Sequence, residues 1–73
     1  MNKIEFLNEL KIAINTDREL LPEMELSTLE EWDSLSIVCV ITMFSDNFDI
    51  NLDYDEIGKF KTVQDLMDKA GIK

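Results

Sequence analysis

The chain has 73 residues, of which 7 are basic, 16 acidic and none histidine, so its formal net charge is −9. At this length one thin-cored domain is expected, since folding buries only roughly 60% of the unfolded surface, and a composition 45% hydrophobic keeps the chain out of the disordered class. The acidity repels nucleic-acid phosphates and anionic lipids and excludes both as partners, while favouring basic protein surfaces.

The first predicted element is a helix over about 3–14. Ile4, Leu7, Leu10 and Ile14 recur at helical spacing with Phe6 and Ala13 beside them, and Asn2 with Glu5 forms a plausible cap pair. Residues 15–32 show no sustained period and contain Pro22. Leu20, Leu21, Leu26 and Leu29 are expected to pin this long connection to the core. The run from Leu35 to Phe44 is β-branched enough for a buried strand. Helix is preferred, because the spacing Ile37, Ile41, Phe44, Phe48 continues the apolar face and no second strand exists to pair with it. Asp53 and Glu56 then cap a short helix that Gly58 ends, and Thr62 and Asp65 cap a last one carrying Val63, Leu66, Met67 and Ala70, with Gly71 as its stop. The helices fall at about 3–14, 34–47, 54–58 and 63–70. The fold class is therefore all-α: a small helical bundle of three main helices plus one short helix, with a long loop between the first and second, in a single domain 1–73.

The chemistry concentrates at Trp32-Asp33-Ser34-Leu35, where the long loop meets the second helix. Asp33 is suited to cap the helix and Ser34 to be its first residue. Trp32 and Ile37 have the spacing of a hydrophobic staple. The serine hydroxyl is thereby displayed on a rigid corner that suits a phosphorylated or phosphodiester-linked serine. A plain helix cap accounts for the same residues equally simply.

The order of elements, with Asp33-Ser34-Leu35 heading the second helix, Phe48-Asp49-Ile50 following it and Thr62-Val63 opening the last, resembles the acyl carrier proteins over nearly the whole chain. The resemblance implies that Ser34 is the attachment point of 4′-phosphopantetheine, delivered from coenzyme A by a holo-acyl-carrier-protein synthase, a phosphopantetheinyl transferase, using magnesium. Asp33 and Leu35 would stand beside the arm. Trp32, Asp33, Leu35, Val38, Cys39, Asp46 and Glu56 are the positions expected to meet partners. Those partners would be acyl-loading and acyl-transfer enzymes with basic or apolar docking patches. The cargo would be an acyl group held as a thioester, for fatty-acid, other lipid or specialised biosynthesis. Peptidyl, aminoacyl or D-alanyl carriage is the alternative, and an unmodified acidic interaction module a further one. The carrier itself would be no enzyme.

One departure from the family pattern is informative. The second helix of fatty-acid carriers is typically lined with glutamates, whereas here the stretch Ser36-Ile37-Val38-Cys39-Val40-Ile41-Thr42-Met43-Phe44-Ser45-Asp46 has one acid. A carrier dedicated to one pathway is expected, recognised by apolar contact and by acids elsewhere, such as Glu30, Glu31, Asp53, Asp55 and Glu56.

The remaining candidates weaken on inspection. Ser34 has no histidine and no nearby lysine to take its proton, so a hydrolytic role is not expected. Asp49, Asn51, Asp53 and Asp55 imitate a calcium loop, but Tyr54 stands where glycine is needed and Phe60 where a bidentate glutamate is, so no metal site is expected. Cys39 cannot form an internal disulfide and reads as a buried, inert thiol unless it meets partners. Met24, Met43 and Met67 read as soft core or partner-facing filler, and Glu23, Glu25, Glu30 and Glu31 as a solvated surface. No apolar run approaches the ~20 residues of a membrane span, and the acid-bearing N-terminus is unlike a targeting peptide. A cytoplasmic monomer without membrane insertion is the expectation.

Overall fold

Four α-helices follow one another in the computed structural model, which describes residues 1–72: α1 Lys3–Ile14, α2 Ser34–Phe48, α3 Tyr54–Ile57 and α4 Val63–Ala70. Lys73, the last residue of the expected domain, lies outside the described residues. The all-α bundle with one short member and a long first connection is as expected, with α2 one residue longer and α3 one shorter. Among the described residues there is no β-strand, only an isolated antiparallel bridge between Glu25 and Thr62. No described helix is long and apolar enough to cross a membrane.

Helix α1 begins with the expected cap pair: Asn2 and Glu5 each accept a hydrogen bond from the other's backbone N–H. Its buried face differs from the expected one. Phe6, Leu10 and Ile14 point inward, while Ile4 is 71% exposed and Leu7 only partly covered. The bulkiest side chain decides the helix rotation, because a buried aromatic removes more apolar surface from water than an isoleucine. Phe6 meets Phe44 edge-on at 6.0 Å between ring centroids, and Phe48 lies 6.0 Å from Phe6 and 5.5 Å from Phe44. This aromatic trio joins α1 to α2.

The long connection is pinned to the core by Leu20, Leu26 and Leu29, all buried, whereas Leu21 is exposed, contrary to expectation. A short 3-10 turn, Leu26–Thr28, interrupts it. The backbone accounts for the rest of the anchoring. The first N–H groups of any helix lack an internal partner. Here the amides of Val63 and Gln64 donate to the carbonyls of Met24 and Pro22, at 3.0 and 2.8 Å, and Leu26 N–H donates to Lys61 O at 2.8 Å. The loop is thus the seat of α4. Thr62 and Asp65 complete that helix start with the expected reciprocal cap.

Three helices end on a left-handed residue: Asn15 (φ 56°), Asp49 (φ 55°) and Gly71 (φ 79°). Gly58 does not. It ends α3 in the right-handed region, at φ −67°, so the expected glycine stop needs no glycine. A Cβ there would sit 3.5 Å from Asp55 O, an ordinary contact. Gly58→Ala is therefore expected to be neutral or to stabilise by about 0.5 kcal/mol, whereas Gly71→Ala should cost about 1 kcal/mol. Thermal melts of the two variants check this, and equal losses would contradict it.

Candidate functional site at the start of α2

The corner before α2 is built from backbone outward. Asp33 is extended (φ −126°, ψ −176°) and caps the helix: its Oδ1 accepts Ser36 N–H at 2.9 Å, and its carbonyl accepts Ile37 N–H at 2.9 Å. Ser34 follows as the first helical residue and is exposed. Among the described residues its hydroxyl makes no hydrogen bond. Trp32 and Ile37, the two staple positions, are both partly buried against the core.

Four residues that sequence reasoning did not assign to the site hold this corner. Ser36, buried in the first turn, donates its hydroxyl to the carbonyl of Glu31. Asp33 N–H donates to the same carbonyl at 3.1 Å. The Glu31 carboxylate reaches away from α2: its Oε2 accepts the Thr16 hydroxyl at 2.7 Å and stands 3.6 Å from Arg18 Nε. Glu31 is thus engaged internally instead of being a solvated steering charge. Thr16 lies fifteen residues away in sequence, so no local pattern announces the contact. The double serine of Asp33-Ser34-Leu35-Ser36 was the available signal for Ser36, since a hydroxyl in the first turn favours backbone partners.

These contacts tune the carboxylates. The Thr16 hydroxyl foremost, with Glu31's own backbone N–H and the Arg18 charge, lowers the Glu31 pKa against a smaller opposing effect of desolvation. The hydrogen bond from the Ser36 amide foremost lowers the Asp33 pKa. The amides of Lys61 and Thr62 lower Asp65, the capping acid of α4. All three favour the ionised form in the folded chain. Their contribution is complete above the ordinary values, 4.5 for Glu and 3.8 for Asp, and is lost as pH falls through the depressed folded ones. Melting temperature followed by circular dichroism is expected to decline below about pH 4.5. A melting temperature flat from pH 5 to pH 2 would refute this.

On α2 the inward row is Ser36, Val40, Met43 and Phe44. The outer side carries Leu35, 73% exposed, Val38, 50% exposed, and Cys39, with Asp46 about two turns further along. Cys39 is therefore exposed, not buried as its apolar neighbours suggested, because at about 100° per residue it falls to one side of the inward row through Ser36, Val40, Met43 and Phe44. The structure brings Ser34, Leu35, Val38, Cys39 and Asp46 onto one helix. Trp32 instead turns toward the core and lines a surface cleft with Leu26 and Phe60. Glu56 stands on α3, where its carboxylate lies 3.1 Å from Lys69 Nζ of α4. Asp49 and Asp53, half of the calcium-loop imitation, serve as the C-cap of α2 and the N-cap of α3.

No protein-family model matches the chain, and no curated protein matches it. Among solved structures it is similar to one described as "a putative acyl carrier protein" from Mycobacterium tuberculosis, with 28% sequence identity and a TM-score of 0.74 over 92% of each chain. The fold is of the acyl-carrier type. An exposed, unengaged serine hydroxyl at the positive end of a fifteen-residue helix is a place where a phosphodiester fits, since the helix dipole and first-turn amides favour an anion there.

Proposed function

We propose that the chain is a carrier protein that holds an acyl group as a thioester on 4′-phosphopantetheine attached to Ser34. The observation that carries the reading is the Ser34 hydroxyl itself, first in α2, exposed, and set beside a cap that leaves it free. The likeness to the mycobacterial chain supports a carrier role in general. In the loading step Ser34 Oγ forms a phosphodiester bond to the pantetheine phosphate, the bond from that phosphate to the adenosine bisphosphate portion of coenzyme A breaks, and the hydroxyl proton passes to the transferase. Bound there, the group would supply a terminal thiol for thioester exchange.

The chain's own residues bind and orient. Asp33 fixes the first turn, Leu35 borders the attachment point, and Leu35, Val38 and Cys39 offer partners an apolar face in which Asp46 is the acid. Such a face suits enzymes of one dedicated pathway. An aminoacyl cargo is the alternative within the same reading.

Incubation of the apo-protein with coenzyme A, magnesium and a broad-specificity phosphopantetheinyl transferase tests the proposal by intact mass. The expected result is a gain of one phosphopantetheine unit, abolished in Ser34→Ala. An unchanged mass for the wild-type chain leaves only the unmodified interaction module. Elongation of the loaded chain by a general ketoacyl-synthase set is expected to be inefficient, and efficient elongation would overturn the dedicated pathway.

A further inference from the structure

We propose that Glu31, held by Thr16, is a positioning residue that fixes the direction in which Ser34 is presented at the start of α2. The proposal rests on the reading of Ser34 as the attachment point. Its physical basis begins fifteen residues upstream. Asn15 turns left-handed at the end of α1, and Thr16 N–H donates back to Lys11 O at 3.1 Å, so the threonine is fixed to the helix end. Thr16 is buried, and its hydroxyl is used in both senses: it accepts Arg18 N–H at 3.1 Å and donates to Glu31 Oε2 at 2.7 Å. That leaves the hydroxyl one orientation.

Glu31 is then gripped at both ends. Its side chain is tied to the end of α1, while its carbonyl receives Asp33 N–H and the buried Ser36 hydroxyl from the start of α2. Ser34 lies between those last two donors in sequence. The Asp33 cap and the half-buried Trp32 and Ile37 also hold the entry of the long connection into α2. The Glu31 clamp adds a tie from this corner to the end of α1.

Loosening the clamp lowers the fraction of molecules with Ser34 presented correctly, which raises the apparent dissociation constant for the transferase and leaves the bound complex unchanged. The test compares wild type, Glu31→Ala, Glu31→Gln and Thr16→Val by amide hydrogen exchange at Ser36 and Ile37, and by steady-state phosphopantetheine transfer from coenzyme A. Glu31→Ala and Thr16→Val are expected to speed exchange and raise KM for the chain, each on the order of tenfold, with kcat within about twofold. Glu31→Gln keeps an oxygen that accepts from Thr16 and is expected near wild type. A merely structural clamp would lower the melting temperature without this split between KM and kcat. Unchanged exchange in both disrupting variants, a KM that does not move, or a glutamine variant no better than alanine would each overturn the proposal. Should the wild-type chain gain no mass, the reading of Ser34 falls, and exchange alone decides the positioning role: accelerated in the variants it stands, unchanged it fails.

Discussion

Phe44→Ala is expected to remove a large share of the folding free energy and to leave much of the population unfolded at physiological temperature. Phe44 is fully buried, meets Phe6 edge-on at 6.0 Å and stands 5.5 Å from Phe48. Truncating a buried phenylalanine costs about 3–5 kcal/mol, because the lost transfer energy is joined by the cavity left behind. A domain of this size has roughly 0.05–0.15 kcal/mol of stability per residue. For 73 residues that amounts to roughly 4–11 kcal/mol, against which the loss is decisive. Removing Phe44 also withdraws a ring from each of two neighbours, so α1 loses its main grip on α2. Ile4→Ala is the comparison, since at 71% exposure it should change stability by no more than about 0.5 kcal/mol. Urea unfolding of the two variants measures the difference. Equal shifts in midpoint would mean that α1 turns Ile4, not Phe6, toward the core.

That contrast also shows what could be read from the sequence. Periodicity located α1, and with the lack of a partner strand α2, but on α1 it favoured the stripe through Ile4 and Leu7 over the one through Phe6. The choice between them depends on which side chain meets Phe44 and Phe48, a tertiary fact. Caps were legible because they are local: Asn2 with Glu5, Asp33, and Thr62 with Asp65 all act within three residues of themselves. The left-handed ends at Asn15 and Asp49 were legible in principle, since asparagine and aspartate tolerate that conformation, but without a glycine neither position signals a helix stop. The long connection was the least legible part. Its order comes from Pro22 and Met24 carbonyls meeting α4 amides, and backbone acceptors leave no mark on composition. At the site, Asp33, Ser34 and Leu35 stood out, whereas Thr16 and Glu31 meet only once the chain has folded. Cys39 was misjudged because in a helix that is apolar on several sides, neighbours in sequence do not say which side faces water.

The second large effect is expected on the outer face of α2. Leu35→Asp and Val38→Asp should each leave the fold intact, since both side chains are exposed at the start of a helix whose inward row they do not enter. Each should nevertheless lower kcat/KM for the transferase by roughly 30-fold, the equivalent of a contact worth about 2 kcal/mol at the centre of an interface. The reason is desolvation. A partner that covers Leu35, Val38 and Cys39 removes them from water, and a carboxylate placed among them would be buried without a counter-charge. Leu35 has the larger surface to lose and should show the larger effect. Salt provides the independent reading: screening weakens whatever the acids contribute to recognition but scarcely touches an apolar contact, so the deficit of each variant relative to wild type should persist as ionic strength rises. Measurement of kcat/KM for wild type and both variants across a salt series, with circular dichroism as the control on folding, checks this. Undiminished turnover of both variants would move recognition off the apolar face of α2 and onto the acids around it.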